Sequence, residues 1–551
     1  MFKTQIQFQK KWAVLWNCLL LGGSLLLPFH PVVAQDKAQF SGDLQSNTKF
    51  FIADSARGAV NVPFYDYLFF GSENWLNLNC RVQGYEIGAR FDFFQNTNIF
   101  SPTVAYSGQG IGRWYVSKHI ENFSITAGHF YDQYATGHIF RAYEARPLGI
   151  DQAILGVNLG YKFNNHLNAR ASSGVEKNIF TTYRPVLKGG NLEGNWTIKK
   201  ASIIPGIAYL GRTIDNETML SIASEINSYP LADRFVPKYN TNAVALYNTL
   251  SVGNISWYIE GAYKGEDVIR NTAGRLKNPS NGYVLMSSLS WSRKGLGIVV
   301  QGRRNKNFDL RTSPQQTFTK GLINFMPPLA RQNAYRLAGR YNAATQPLGE
   351  MAFQAEITYS PKRSLIFTFN ATNITNPDDT LLFREIYLDA TIKPKGKSYK
   401  GTIGIQAVDY NQFVFEQKGK FVNTFTPFAE FVYKFTKKQS LKTELSYMFT
   451  ERNRRLLGKK DAPYEQDKGD WFWVLAEYSI APAWSFALSD LYNIDPDHNL
   501  HYPSIFVSYT RRASRFALSY VKQPAGVVCT GGVCRYEPAF SGVKLDITTS
   551  F

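Results

Sequence analysis

Beyond Leu27 this chain has no uninterrupted apolar stretch approaching the roughly 18 residues that a membrane-spanning helix needs. It is short of cysteine, with four in 551 residues, and of histidine, with seven. Linkers, low-complexity tracts and short-period repeats are missing too. The first absence excludes a helical bundle in a bilayer. The second leaves little from which to build a metal centre or a disulfide scaffold. The third argues against a string of soluble sandwiches, because about 500 residues of such structure would divide into Ig-sized units joined by linkers. The histidines suit no catalyst: His30 falls in the leader, and His119, His129, His138, His166, His498 and His501 sit in no motif that specifies a nucleophile. No enzyme activity, cofactor or metal is expected.

What the chain does have is aromatic side chains, 15% of residues, on a mean hydropathy of only -0.25. It also has alternation. At the carboxy end Val543, Leu545, Ile547, Thr549 and Phe551 fall on one side of a strand, and Lys544, Asp546, Thr548 and Ser550 on the other. Such a strand separates lipid, or a core, from water. A last strand that stops on Phe551 is the usual finish of a bacterial outer-membrane barrel. Val543, Leu545, Ile547 and Phe551 are the residues that the barrel-assembly machinery would read.

At the other end, Lys3, Lys10 and Lys11 precede an apolar run from Trp12 to Leu27, and Val32-Val33-Ala34 supplies small residues for signal peptidase. Residues 1–34 are therefore expected to be a cleaved leader, and residues 35–551 one domain. Net charge is +19, and losing the three leader lysines leaves +16. In an exported strand-rich chain this basic balance suits lipopolysaccharide phosphates or an anion-favouring lumen, and not nucleic acid.

Hairpins are plainest where turns are short. Leu76, Leu78, Cys80 and Val82 form one apolar face, and after Gln83-Gly84 the pattern resumes at Tyr85, Ile87, Ala89, Phe91 and Phe93. The same design joins Arg113–His119 to Ser124–Phe130 through Glu121-Asn122, and Met351–Tyr359 to Leu365–Thr372. Long connections are expected at 52–73, 132–151, 211–240, 265–281, 453–470 and 523–540. The fold class that follows is all-β: a single transmembrane antiparallel barrel of about 24–26 strands. The parity fails near Asn305–Arg331, and a hidden strand around Thr317–Phe325 would repair it at 26. The first strand begins near Gln39, leaving no room ahead of it for an amino-terminal plug domain of the TonB-dependent kind.

The densest polar and aromatic constellation is Tyr131, Asp132, Tyr134, His138, Arg141, Tyr143, Glu144 and Arg146, on the connection after Phe130. The charged members could clamp an anionic or sugar-like ligand, with the tyrosines as stacking surfaces. The alternative is a self-satisfied network that pins this loop inside the barrel. Met219, Ile222, Ala223 and Ile226 follow a helical period before Pro230, so a short helix is expected in the 211–240 loop. Cys529 and Cys534 flank Gly531-Gly532, a pattern that favours a disulfide across a hairpin tip over a metal or redox site.

The segment G-H-F-Y-D-Q-Y-A-T-G-H-I-F-R-A-Y-E-A-R-P-L-G-I-D from Gly128 resembles an uncharacterised family of large outer-membrane β-barrel proteins from Bacteroidota. The resemblance continues at Tyr341–Tyr359, Gly469–Asn493 and Ala525–Phe551. Family members typically carry Phe-Tyr-Glu-Gln-Phe-Gly where this chain has Phe130-Tyr131-Asp132-Gln133-Tyr134-Ala135. The resemblance implies location and fold, and no activity. Two functions are left open: a channel or ligand-selective transporter without a TonB-type plug, or a structural or assembly subunit with a loop-sealed lumen and outer loops that dock other envelope proteins.

The cysteine pair gives a first test. Mass spectrometry of the native, alkylated protein should find Cys529 and Cys534 joined. Closing so short a loop should contribute only about 1–2 kcal/mol, so Cys529→Ser with Cys534→Ser should leave the barrel folded and make its last long loop easier to cleave. Two alkylated thiols would contradict the pairing.

Overall fold

A computed structural model of the protein describes residues 38–317, 319–417, 421–451, 469–494, 499–530 and 533–551. The leader, its cleavage after Ala34 and the side chains of Cys529 and Cys534 lie outside what is described. The backbone places Cys529 opposite Cys534 in the hairpin Gly526–Thr530/Val533–Glu537.

Among the described residues one sheet contains 25 strand segments. Trp196–Ile198 runs beside the same neighbour as Thr181–Gly194 and continues it past Asn195, so the barrel has 24 strands. Each pairs antiparallel with the next. The last, Phe540–Ser550, pairs with the first, Gln39–Phe51, from Asp43 opposite Ser550 to Phe51 opposite Gly542. Closure leaves no edge, which is what lipid demands of a sheet.

Burial along the strands is inverted relative to a soluble protein. In Tyr85–Thr97, Ile87 and Phe93 are exposed, whereas Arg90 and Asp92 are 1% and 2% exposed. The accessible surface is apolar and the charges are inside. Tyr161, Tyr359, Tyr399, Tyr433 and Trp484 all lie on the outer face close to the rim that carries both ends of the sheet, as an interfacial girdle requires. No helix among the described residues is long and apolar enough to cross a membrane.

The turns after Val82 and Ile120 fall where the alternation places them, at Gln83-Gly84 and Glu121-Asn122. Two expectations need correction. The connection expected at 265–281 shrinks to 271–275, because the strands run on to Arg270 and restart at Leu276. Register shifts between Lys264 and Ile269 interrupt the alternation that would have revealed them. Among the described residues no strand lies around Thr317–Phe325 either, so the count is 24 and not 26. Instead the stretch between Lys306 and Gly349 leaves the wall at the far rim, opposite both sheet ends, as do the other long connections.

The seam rests on a close approach. Gly42 and Phe551 exchange backbone hydrogen bonds of 2.8 and 2.9 Å, and the Phe551 ring covers Gly42 so closely that a Cβ there would meet ring carbons at 2.7 Å and Asn77 O at 2.8 Å. Gly42→Val should therefore sharply reduce the folded fraction, read as loss of the heat-modifiable band on unboiled gels. Unchanged yield of folded barrel would show that the seam tolerates displacement of its terminal residue.

Candidate functional site

Inward side chains of so wide a barrel would be wet if the lumen were open. Many are buried by protein. Arg90, Asp92, Arg212, Glu260, Lys264, Asp267, Arg303, Glu350, Glu385 and Gln406 are all nearly inaccessible. Residues 307–348 cover much of this wall. Arg212 Nη1 donates to the carbonyl of Arg311 at 2.7 Å, Lys264 Nζ to that of Asp309 at 2.8 Å, and Gln406 Nε2 to that of Ala338 at 2.9 Å. Asn333 Nδ2 reaches Glu385 at 2.8 Å, Arg331 pairs with Glu356 at 2.8 Å, and the Arg340 guanidinium lies 4.0 Å from the Trp471 ring. Leu329, Leu337 and Tyr341 complete an apolar cluster with Val408, Tyr410 and Trp471 of the wall. The wall cations are themselves neutralised: Arg212 by Asp267 and Arg303 by Glu350, each at 2.6 Å.

The connection after Phe130 fills the other side. Tyr131 donates to Asp151 at 2.8 Å. Asp132 pairs with Arg170 and accepts from Asn158 at 3.2 Å. Tyr134 is fully buried, its hydroxyl 2.9 Å from Ser172 and its ring 4.9 Å from Phe140. His138 Nδ1 lies 3.1 Å from Glu260 Oε1, both side chains buried. Glu144 accepts from Arg90 at 2.5 Å and from Arg146 at 2.9 Å. Arg146 also reaches Gln45 at 2.9 Å and lies over Trp75. Arg141 is held by rings, 4.3 Å from that of Tyr143 and 4.0 Å from that of Phe325. Thus the eight residues do not converge on one point. Asp132, Tyr134, His138, Glu144 and Arg146 tether the loop to the inner wall at separate places, while Tyr131 bonds within the loop and Arg141 and Tyr143 meet Phe325 of the 307–348 segment.

The two in-folded segments join each other. Arg141 N donates to Ile323 O at 2.8 Å and Phe325 N to Gly137 O at 2.9 Å. Phe140, Phe308, Leu310 and Ile323 share one apolar cluster with Ala208, Ala245 and Val284 of the wall. A third connection, 52–69, is tied to the last strands and their connection: Arg57 donates to His501 O at 2.7 Å, Asp54 pairs with Lys522 at 2.8 Å, and Tyr65 donates to Ala539 O at 3.0 Å. Toward the near rim the inner face opens: Lys162 and Lys434 are exposed and Glu86 is half-buried.

Burial decides the loop's acid–base character. It lifts the Asp132 carboxyl above the ordinary range despite Arg170, and pushes the Tyr134 phenol up to about 12. At Asp151 burial acts upward as well, but Lys177 and Arg90 outweigh it and the carboxyl titrates below its ordinary value. Burial also lowers Arg141. No cluster of three or more metal-binding side chains is present among the described residues.

The helix expected in the 211–240 loop is present at Asn216–Asn227, capped by Asp215, with Met219, Ile222 and Ile226 packed on Val268 and Leu276. Its Glu225 binds Arg270 at 3.0 Å and accepts from Gln315 of the 307–348 segment at 3.0 Å. What the sequence reading missed is that 307–348 belongs inside. The available signal was 42 residues without alternation, rich in arginine and asparagine, between two strands that are direct neighbours.

A family model described as "Family of unknown function (DUF6029)" matches residues 12–551. None of the curated proteins compared matches the sequence. Among solved structures, the P pilus usher (PapC) translocation pore is similar at 9% identity and a TM-score of 0.42, over 93% of this chain and 99% of that one. An E. coli P pilus tip assembly intermediate, PapC-PapD-PapK-PapG, gives 10% and 0.48, over 95% of this chain and 62% of that one. The siderophore receptor PirA from Pseudomonas aeruginosa gives 9% and 0.40, over 95% and 81%. With superposition scores below 0.5, no functional conclusion follows from these likenesses.

The bracing is testable at Arg303. Arg303→Met strands a buried Glu350 charge and should loosen the 307–348 segment by about 3–5 kcal/mol, whereas Arg303→Met with Glu350→Met should recover much of that. Thermolysin cleavage within 307–348 of the intact barrel reads the difference. Equal cleavage of wild type and Arg303→Met would mean that this pair does not hold the segment.

Proposed function

This chain belongs to the DUF6029 family, a family of unknown function, so membership brings no activity with it, and we propose from its geometry that it is an outer-membrane barrel sealed at rest by its own loops, acting through what docks on its rims. The observation that carries the reading is the burial of inward charged residues beneath residues 131–153 and 307–348. A passive pore gains nothing from such a filling. Swinging it out would exchange contacts such as those of Lys264 with Asp309 O and of Glu385 with Asn333 for contacts with water, and would expose the apolar clusters that the segments share with the wall. A barrel of 24 strands is wide, and breadth with a filled lumen suits a platform better than a sieve.

In this reading the far-rim loops, with the capped helix Asn216–Asn227, meet other envelope proteins or lipopolysaccharide. The last strand delivers the chain to the assembly machinery. No catalytic step is assigned. Selective transport is the second reading, and it is favoured by one feature: the near-rim vestibule, from which a partner could reach the underside of the plug.

Planar-bilayer conductance separates the two. Lys306 and Gly349 are direct strand partners, so residues 309–346 can be replaced by a short Gly-Ser linker without stretching the wall. The wild-type barrel should be nearly silent and the deletion should conduct in large steps. Steady wild-type conductance, or solute uptake into liposomes carrying it, would contradict the sealed state and favour transport.

A further inference from the structure

On the outer face of the wall a groove of about 610 Å³ spans the strands from Ile255–Arg270 to Leu365–Thr375. No residue of the in-folded segments lines it, and Ile259, Leu285, Met351 and Phe353, which form its sides, are 44–58% exposed. The wall is low here because Ser287 is paired with Gly302, and a Cβ on Gly302 would meet nothing nearer than Ala352 O at 3.9 Å. At the far-rim end of the groove stands Arg304, two residues beyond Gly302 and between its partners Leu285 and Met351. Lys306 follows on the same face. Both are exposed, and among the described residues neither side chain has a hydrogen bond, an ion pair or a ring contact. Their outward neighbours carry no carboxylate: Leu285 and Met351 flank Arg304, and Tyr283 and Gly349 flank Lys306.

Aromatic residues fix the depth of these cations in the membrane. Tyr359 of the near-rim girdle pairs with Leu296, and Tyr263 and Tyr283 pair with each other in the row of Lys306. The ten residues from Leu296 to Lys306 span roughly 33 Å of strand and about 25 Å of membrane normal at the tilt of such barrels, the height of an outward apolar band. Lys306 therefore lies level with the outer headgroups. Arg304 lies just beneath, where lipid headgroups meet their acyl chains. The long connections gather at this rim, which is the outward side of such a barrel.

We propose that this groove seats an acyl chain of lipid A, the phosphorylated glycolipid of the outer leaflet, with a lipid phosphate held by Arg304 and Lys306. The guanidinium fork meets two phosphate oxygens and the lysine ammonium a third. The chain lies over Ser287 and Gly302, between Ile259 and Phe353. A free anion would have no use for the apolar groove, and an uncharged lipid none for the two cations. The assignment gives the proposed contact with lipopolysaccharide a place on the wall. It rests on the outer-membrane reading and not on the sealed lumen.

Native mass spectrometry of the delipidated barrel in detergent tests the site, with lipid A carrying both its phosphates as the probe. One lipid A should bind saturably per chain. The same lipid dephosphorylated, phosphatidylglycerol and inorganic phosphate should each bind at least tenfold more weakly. Arg304→Gln with Lys306→Gln should weaken lipid A tenfold or more, and Gly302→Leu, which fills the groove, severalfold. Lys393→Gln with Lys397→Gln removes two exposed cations from the near rim and should leave lipid A binding unchanged. The heat-modifiable gel shift confirms that each variant is folded. If Gly302→Leu fails to fold, the Arg304 and Lys306 double variant carries the comparison, since neither side chain has a partner to lose. Equal affinity for lipid A without its phosphates, or in that double variant, would overturn the proposal. So would equally tight binding of phosphatidylglycerol or inorganic phosphate, or barrel dimers that exclude the lipid. Density-gradient separation of envelope membranes reads the placement independently. A barrel in the outer-membrane fraction that binds no lipid A contradicts this site alone, and a barrel in another fraction contradicts the outer-membrane reading with it.

Discussion

Everything in this molecule follows from the inner face of its wall. A closed sheet of 24 strands must point every second side chain inward, and here many of these carry charge. Outside, lipid settles the matter by accepting Ile, Phe and Leu. Inside, the chain supplies its own partners, folding long far-rim connections into the lumen so that Arg212, Lys264, Arg303 and Gln406 find backbone carbonyls at 2.5–2.9 Å. Buried charges that are paired and hydrogen-bonded are tolerable, and the same charges unpaired are not. The wall thus fixes the plug, and the plug completes the wall.

Two kinds of glue divide the work. Apolar clusters centred on Phe140 and Phe308, and on Leu337 and Trp471, supply area without direction. Ion pairs and cation–π contacts supply register: Arg141 between Tyr143 and Phe325, and Arg340 over Trp471, can form only when the segments sit where they do. A lumen packed with hydrocarbon alone would hold its loops in many arrangements. The charged tethers select one.

The wall was largely legible in the sequence because its signal is local. Period-two alternation and turns such as Gln83-Gly84 give the hairpins, and the alternating run to Phe551 gives the seam. Strand ends were less so: at Lys264–Ile269 register shifts break the period, and a strand reads as a loop. The part of the lumen that residues 307–348 fill was not legible. Residues 307–348 gain their partners at Glu385, Gln406 and Trp471, far along the chain, and an irregular stretch held by such contacts has no period to read. The charged loop after Phe130 was visible as a cluster, but composition could not separate a clamp for a ligand from a set of tethers. Only the positions of Arg90, Arg170 and Glu260 on the wall make that distinction.

Hydrogen exchange of the folded barrel reads the filled lumen most directly. The amides of Arg141 and Phe325 each donate to a carbonyl of the other segment, and that of Ile323 to Leu310 O within its own, deep among buried side chains. They should exchange as slowly as those of the wall strands, while the amides of the exposed stretch Leu231–Val236 exchange within seconds. If Arg141, Ile323 and Phe325 exchanged as fast as Leu231–Val236, the two segments would not occupy the lumen, and the inner wall would have to be satisfied by water.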